Sequence, residues 1–115
     1  MKQYTLGIEA TLEILGGKWK ALMVCQLMSG PKRTSELERL IPGISQKVLI
    51  QQLRELERDG IVGRIDYHQM PPKVEYYVTD YGKSANKMID VMCSWGRENI
   101  ALRKSRGEDI ELLEK

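Results

Sequence analysis

Lys47, Gln51 and Arg54 follow one another at spacings of four and three residues, which puts all three on one face of a helix. Gln46 stands beside Lys47, and Arg58 lies one turn beyond Arg54. Amide and cationic side chains of this length donate to base edges and to phosphate oxygens. Catalysis would need other neighbours. The chain has a single histidine, His68, and no partners cluster around it in the sequence to make it a metal ligand or a general base. No Ser/His/Asp set, Gly-rich phosphate loop or pair of carboxylates in a pocket context can be picked out. Cys25 and Cys93 are too few and too isolated for a zinc site or a disulfide framework. The expectation is a protein that is not an enzyme and takes no cofactor and no metal.

A helix that offers donors on one face must be anchored by the other. In the segment SQKVLIQQLRELERD, residues 45–59, Leu49, Leu53 and Leu56 cluster opposite Lys47, Gln51, Arg54 and Arg58. Ser45 is a natural N-cap for this helix and Gly60 a natural stop. Before it, Pro42-Gly43-Ile44 makes a short turn, and another helix opens at Thr34-Ser35. There Ser35 and Glu38 have capping-box spacing, with Leu37, Leu40 and Ile41 as the buried stripe. Two further helices precede the pair. The first falls within residues 1–16 and ends at Gly16-Gly17; the second runs from about Lys18 to the breaker Ser29-Gly30-Pro31. In the second, Trp19, Leu22, Met23 and Leu27 form a broad apolar face in which Cys25 is placed.

From Ile61 the hydrophobic period changes from helical to alternating. Residues 61–68 and 73–79 are rich in β-branched residues and tyrosine, and Gln69-Met70-Pro71-Pro72 separates them. This predicts a two-stranded hairpin that needs something packed on it. Thr79 or Asp80 then caps a final helix with apolar residues at Tyr81, Ala85, Met88, Met92 and Trp95, a second line at Ile89 and Cys93, and fraying from about Arg103.

At 115 residues with a net charge of +2, the chain is one domain's worth, 1–115, and the total charge says little about partners. Its distribution says more: −1 over residues 1–16, +5 over 17–54, −3 over 55–80 and +1 over 81–115. The electropositive stretch covers the turn-linked helix pair. No run of residues approaches a membrane span, and Glu9 and Glu13 interrupt what a signal peptide would keep apolar. A cytoplasmic, reducing location and no membrane partner are expected. So small a chain gains burial by pairing with a second copy. The order helix, helix, helix, turn, helix, hairpin, helix is that of a winged helix-turn-helix, mainly α with a small antiparallel β-hairpin (α+β), with 34–60 as the helix-turn-helix and 61–79 as the wing.

Several ordered blocks add a resemblance. They are Glu9-Ala10-Thr11-Leu12, Gly16-Gly17-Lys18-Trp19-Lys20, Gly30-Pro31-Lys32-Arg33 with Glu36-Leu37, and Ile41-Pro42-Gly43-Ile44-Ser45-Gln46-Lys47. Further on come Gln52-Leu53-Arg54-Glu55-Leu56-Glu57, Asp59-Gly60-Ile61-Val62, Pro71-Pro72-Lys73-Val74-Glu75-Tyr76, Thr79-Asp80-Tyr81-Gly82 and Trp95-Gly96. Together, over about residues 6–97, they closely resemble the HxlR family of bacterial transcriptional regulators. The resemblance implies a MarR-related winged helix, a homodimer built from the helices at 1–16 and 80–103, and double-stranded DNA bound by helix 45–59 and the wing. Many members of that family carry a sensor cysteine just before the Glu-Ala-Thr block; here the aligned residue is Leu6.

On this reading Gln46, Lys47 and Gln51 meet base edges. Arg54 and the helix start at Thr34-Ser35 hold phosphates, with Ser45 at the reading helix's own start. Lys73, and less so His68 and Gln69, are the wing candidates near the minor groove in residues 68–73, while Arg58 only pairs with nearby acids. An inverted-repeat operator follows from a two-fold axis; repression and activation stay open. Lys18 and Lys20 oppose the dipole of their helix, which a carboxylate partner would relieve. Leu12, Met88, Met92 and Trp95 are assigned to the dimer interface, and Trp19 and the other methionines to the core or that interface rather than to a cofactor site. The Met-rich last helix could line a cavity for a small-molecule effector between subunits, and Cys93 is the candidate redox residue for an electrophile, an inert buried thiol being the plainer reading. The alternative function is a winged helix that binds another protein without specific DNA binding.

Overall fold

Helices α1 (Gly7–Leu15), α2 (Lys20–Leu27), α3 (Thr34–Leu40) and α4 (Gln46–Arg58) precede a hairpin of β1 (Val62–Asp66) and β2 (Val74–Val78). Helices α5 (Asp80–Lys83) and α6 (Asn86–Ser105) complete the computed structural model, which describes residues 1–114. Residues 1–84 form one compact unit and the chain from Ala85 onward a second.

In the first unit the leucine side of α4 is the centre. Leu49, Leu53 and Leu56 are each fully buried, as are Met23 on α2 and Leu37 on α3, each burial stabilising by about 1.5–3 kcal/mol. α4 packs on β1 and α3, and α2 packs on β2, α3 and α4, so the helix-turn-helix and the hairpin share one core. The hairpin is antiparallel, with Val62 opposite Val78 and Arg64 opposite Tyr76. β2 is bonded on its other side too: Lys32 N–H donates to the Tyr76 carbonyl at 3.0 Å and Tyr76 N–H to the Lys32 carbonyl at 2.8 Å. A hairpin that would be marginal alone is thereby held along its β2 edge and on one face.

Several local expectations are corrected. The first helix does not fill 1–16: it starts at Gly7, where the Glu9 carboxylate accepts from the Thr5 and Leu6 N–H groups. The α3 start uses Glu36, whose carboxylate accepts from Arg33 N–H at 3.0 Å, in place of the Ser35/Glu38 pair; with Arg33 as the cap residue, Glu36 is the third helical position and Glu38 lies too far along. Cys25 is exposed, because the buried stripe of α2 is Lys20, Met23, Val24 and Leu27. Residues 22 and 25 point the other way, and Leu22 is exposed as well.

The single last helix at 80–103 is two helices. The Thr79 hydroxyl accepts from Gly82 N–H at 2.9 Å and donates to the Gly60 carbonyl at 2.6 Å, which ties the short α5 to the end of α4. The ladder then breaks at Ser84-Ala85 before α6 begins. The second unit is α6 and its tail. Rather than fraying at Arg103, α6 runs to Ser105, and the Arg103 guanidinium grips the Glu108 carboxylate with Nε at 3.0 Å after the chain turns at Gly107.

Candidate nucleic-acid interface

Helix α4 is started by Ser45, whose hydroxyl oxygen accepts from Val48 N–H at 3.2 Å. That leaves the Ser45 O–H as a donor at the helix end where positive dipole accumulates. Gln46, Lys47, Gln51 and Arg54 are all exposed, and a groove of about 520 Å³ runs past Lys47, Gln51, Arg54 and Arg58. The leucine face anchors the helix while the donor face stands free, as the periodicity of the sequence predicts. Arg58 donates to its neighbour Asp59 at 3.4 Å, in keeping with its assignment to nearby acids.

The helix is also pinned by an ion pair at Glu55, which lines that same groove. Lys20, 7% exposed, donates through Nζ to Glu55 Oε1 at 2.7 Å. The ammonium holds the Glu55 carboxyl below the usual carboxylate range, chiefly through this hydrogen bond. The unfavourable lysine at the start of α2 thus has the carboxylate partner that its position calls for. Lys18 differs: its ammonium lies 4.6 Å from the centroid of the Trp19 ring, a cation–π contact.

A second cleft, of about 430 Å³, is lined by Thr34 at the start of α3, by Ile50, Arg54 and Glu57 on α4, and by Arg64, Val74 and Tyr76 of the hairpin. The fold therefore brings Thr34 and Arg54 to one place, and adds Arg64, which reasoning from the sequence missed. Arg64 sits in the acidic stretch 55–80, so charge counting hides it. At the α3 start, Glu36 N–H and Leu37 N–H go to the Arg33 carbonyl. The Thr34 and Ser35 amides and hydroxyls are the groups left there, with the Glu36 carboxylate close by.

At the wing tip Lys73 Nζ lies 4.4 Å from the centroid of the Tyr67 ring, and the Tyr67 hydroxyl donates to Glu75 at 2.6 Å. That hydrogen bond to an anion raises the Tyr67 pKa. Lys73 is thus half-buried and held along the hairpin, while His68 and Gln69 are exposed. His68 takes a left-handed turn at φ 50° and donates its N–H to Asp66 at 2.9 Å. Among the described residues no group of three or more His, Cys, Asp or Glu side chains could hold a metal.

The assigned interface residues carry apolar surface. On α1, Leu12 is 58% exposed; on α6, Met92 is 53% and Trp95 66% exposed, with Met88 and Cys93 half-buried. Among the described residues no helix is long and apolar enough to cross a membrane.

A model of the HxlR-like helix-turn-helix matches residues 14–104. The chain is 51% identical over 113 residues to YtcD of Bacillus subtilis (strain 168), an HTH-type transcriptional regulator, across 98% of this chain and 88% of that one. The crystal structure of ytcD superposes with a TM-score of 0.80 at 52% identity, covering 84% of this chain and 99% of the other. The redox regulator HypR in its reduced form gives a TM-score of 0.82 at 44% identity, over 87% and 99% of the two chains. A MarR-family transcriptional regulator from Enterococcus faecalis V583 gives 0.74 at 38% identity, over 91% and 94%.

Proposed function

The chain belongs to the HxlR-like helix-turn-helix family and is a DNA-binding transcriptional regulator, not an enzyme, and we propose that it acts in the cytoplasm as a homodimer on an inverted-repeat operator. Each subunit lays α4 in a major groove, with Gln46, Lys47 and Gln51 to base edges. Arg54, Ser45 and the Thr34-Ser35 helix start face phosphates, and Lys73 carries the wing toward the minor groove. The second copy covers the apolar surfaces that include Leu12, Met88, Met92 and Trp95, which tie the two reading helices to one spacing.

The observation that carries this reading is the two-sidedness of α4: three fully buried leucines fix it, and four exposed donors stand on its free face. A surface built to dock a protein would more often centre on aromatic anchors, which this face lacks. The test is a gel shift with the intergenic region upstream of its own gene at rising salt. Binding that falls steeply as added salt lowers the gain from counterion release supports the reading; a salt-insensitive complex, or none, overturns it.

A further inference from the structure

We infer that Arg54 and Arg64 clasp one phosphodiester of the DNA backbone in the cleft between α4 and the hairpin, an inference that rests on the DNA-binding reading above. The two guanidinium groups come from different elements, the reading helix and the first strand of the wing, and line the same cleft of about 430 Å³. Ile50, Val74 and Tyr76 contribute apolar surface beside the two guanidinium groups. Arg64 lies opposite Tyr76 in the hairpin register, so strand pairing fixes the position from which its side chain leaves.

The charges in the cleft do not cancel. Arg54 and Arg64 bring two positive charges and Glu57 one negative, and among the described residues neither arginine has a carboxylate oxygen within 4.0 Å. The cleft keeps one uncompensated cation, which matches the single negative charge of a phosphodiester. An inorganic phosphate, with more charge, would meet Glu57 at a greater penalty. The planar fork of each guanidinium suits two phosphate oxygens at once, and Thr34 adds a hydroxyl on the same cleft. Arg54 also borders the outer groove of α4, so the clasped phosphate flanks the bases that Lys47 and Gln51 face.

The test is a salt titration by fluorescence anisotropy of the full chain on a random-sequence duplex and on the upstream duplex, since a phosphate contact does not depend on sequence. Arg64→Ala should weaken both complexes by the same factor and make the log–log salt slope shallower by about 0.9. Arg64→Lys, which keeps the charge, should retain the wild-type slope. In a double-mutant cycle the affinity losses of Arg54→Ala and Arg64→Ala should be non-additive, because both arginines hold the same phosphate. An unchanged slope in Arg64→Ala, a loss confined to the upstream duplex, or strictly additive affinity losses in the double variant would overturn the clasp alone. Wild-type protein that binds neither duplex would overturn the parent reading and the clasp with it. Arg64 is exposed, and equal melting temperatures of Arg64→Ala and wild type separate a lost contact from a lost fold.

Discussion

Lys20 and Glu55 join α2 to the reading helix through one hydrogen bond of 2.7 Å, and the two partners are unequally covered: the lysine side chain is 9% exposed and the glutamate 28%. Removing the glutamate strands a buried ammonium, whereas removing the lysine leaves a carboxylate that water can reach. Glu55→Ala is therefore expected to lower Tm by several degrees and by more than Lys20→Ala, as checked by thermal melts. The pH dependence has a definite sign. Because the folded-state pKa of Glu55 is lowered, its contribution is complete above the unfolded value of about 4.3 and is lost as pH falls through the lower folded value. Glu55→Gln should flatten that part of the acid limb; an identical limb in wild type and variant would refute the linkage.

Lys47→Ala and Gln51→Ala address the base-reading face. Both residues are exposed and border the groove on α4, so stability should hold within about 0.5 kcal/mol. Affinity for the cognate operator should fall by about 1–3 kcal/mol per lost base contact, with little change on random duplex. Binding isotherms on both duplexes check this; equal losses on the two would reassign these side chains to phosphates.

The apolar surface of α6 makes a prediction about assembly. Trp95 is 66% exposed and Met92 53%, so Trp95→Glu should leave helical content unchanged while sedimentation shows a monomer. With its half-sites no longer linked, the variant should bind an inverted repeat about 10²–10⁴-fold more weakly. A dimer that persists in Trp95→Glu would place the interface elsewhere.

Gly82 tests the join between α5 and the core. A Cβ there would lie 2.2 Å from the Ile61 carbonyl oxygen and 2.9 Å from a Val78 methyl group. Gly82→Ala should cost about 1–3 kcal/mol by overpacking, read from urea denaturation. Gly96→Ala, with open space around it in α6, should instead gain about 1 kcal/mol from helix propensity alone.

The reading helix, its cap and the hairpin were legible because each rests on a local rule: a 3.6-residue leucine period, Ser45 two residues before Lys47, and the alternation of Val74, Tyr76 and Val78. What escaped was set by contacts distant in sequence. The short α5 is tied down at its start by the Thr79 hydroxyl bonding back to Gly60, 19 residues away, which no local window contains. Arg64 escaped because its importance comes from a cleft built by three elements. Cys25 was misplaced by judging α2 on hydrophobicity: buried Lys20 defines that face, and lysine is the residue least expected to do so.

The paired main-chain bonds between Lys32 and Tyr76 have an evolutionary corollary. They stitch the segment leading into α3 to the strand that carries the wing, using peptide groups that every sequence possesses. The gauge between wing and reading helix is thus inherited from the backbone, whereas sequence preference is written in a handful of exposed side chains. On the proposed reading, paralogues drift to new operators by rewriting residues such as Lys47 and Gln51, while the placement of the wing beside the reading helix stays the same.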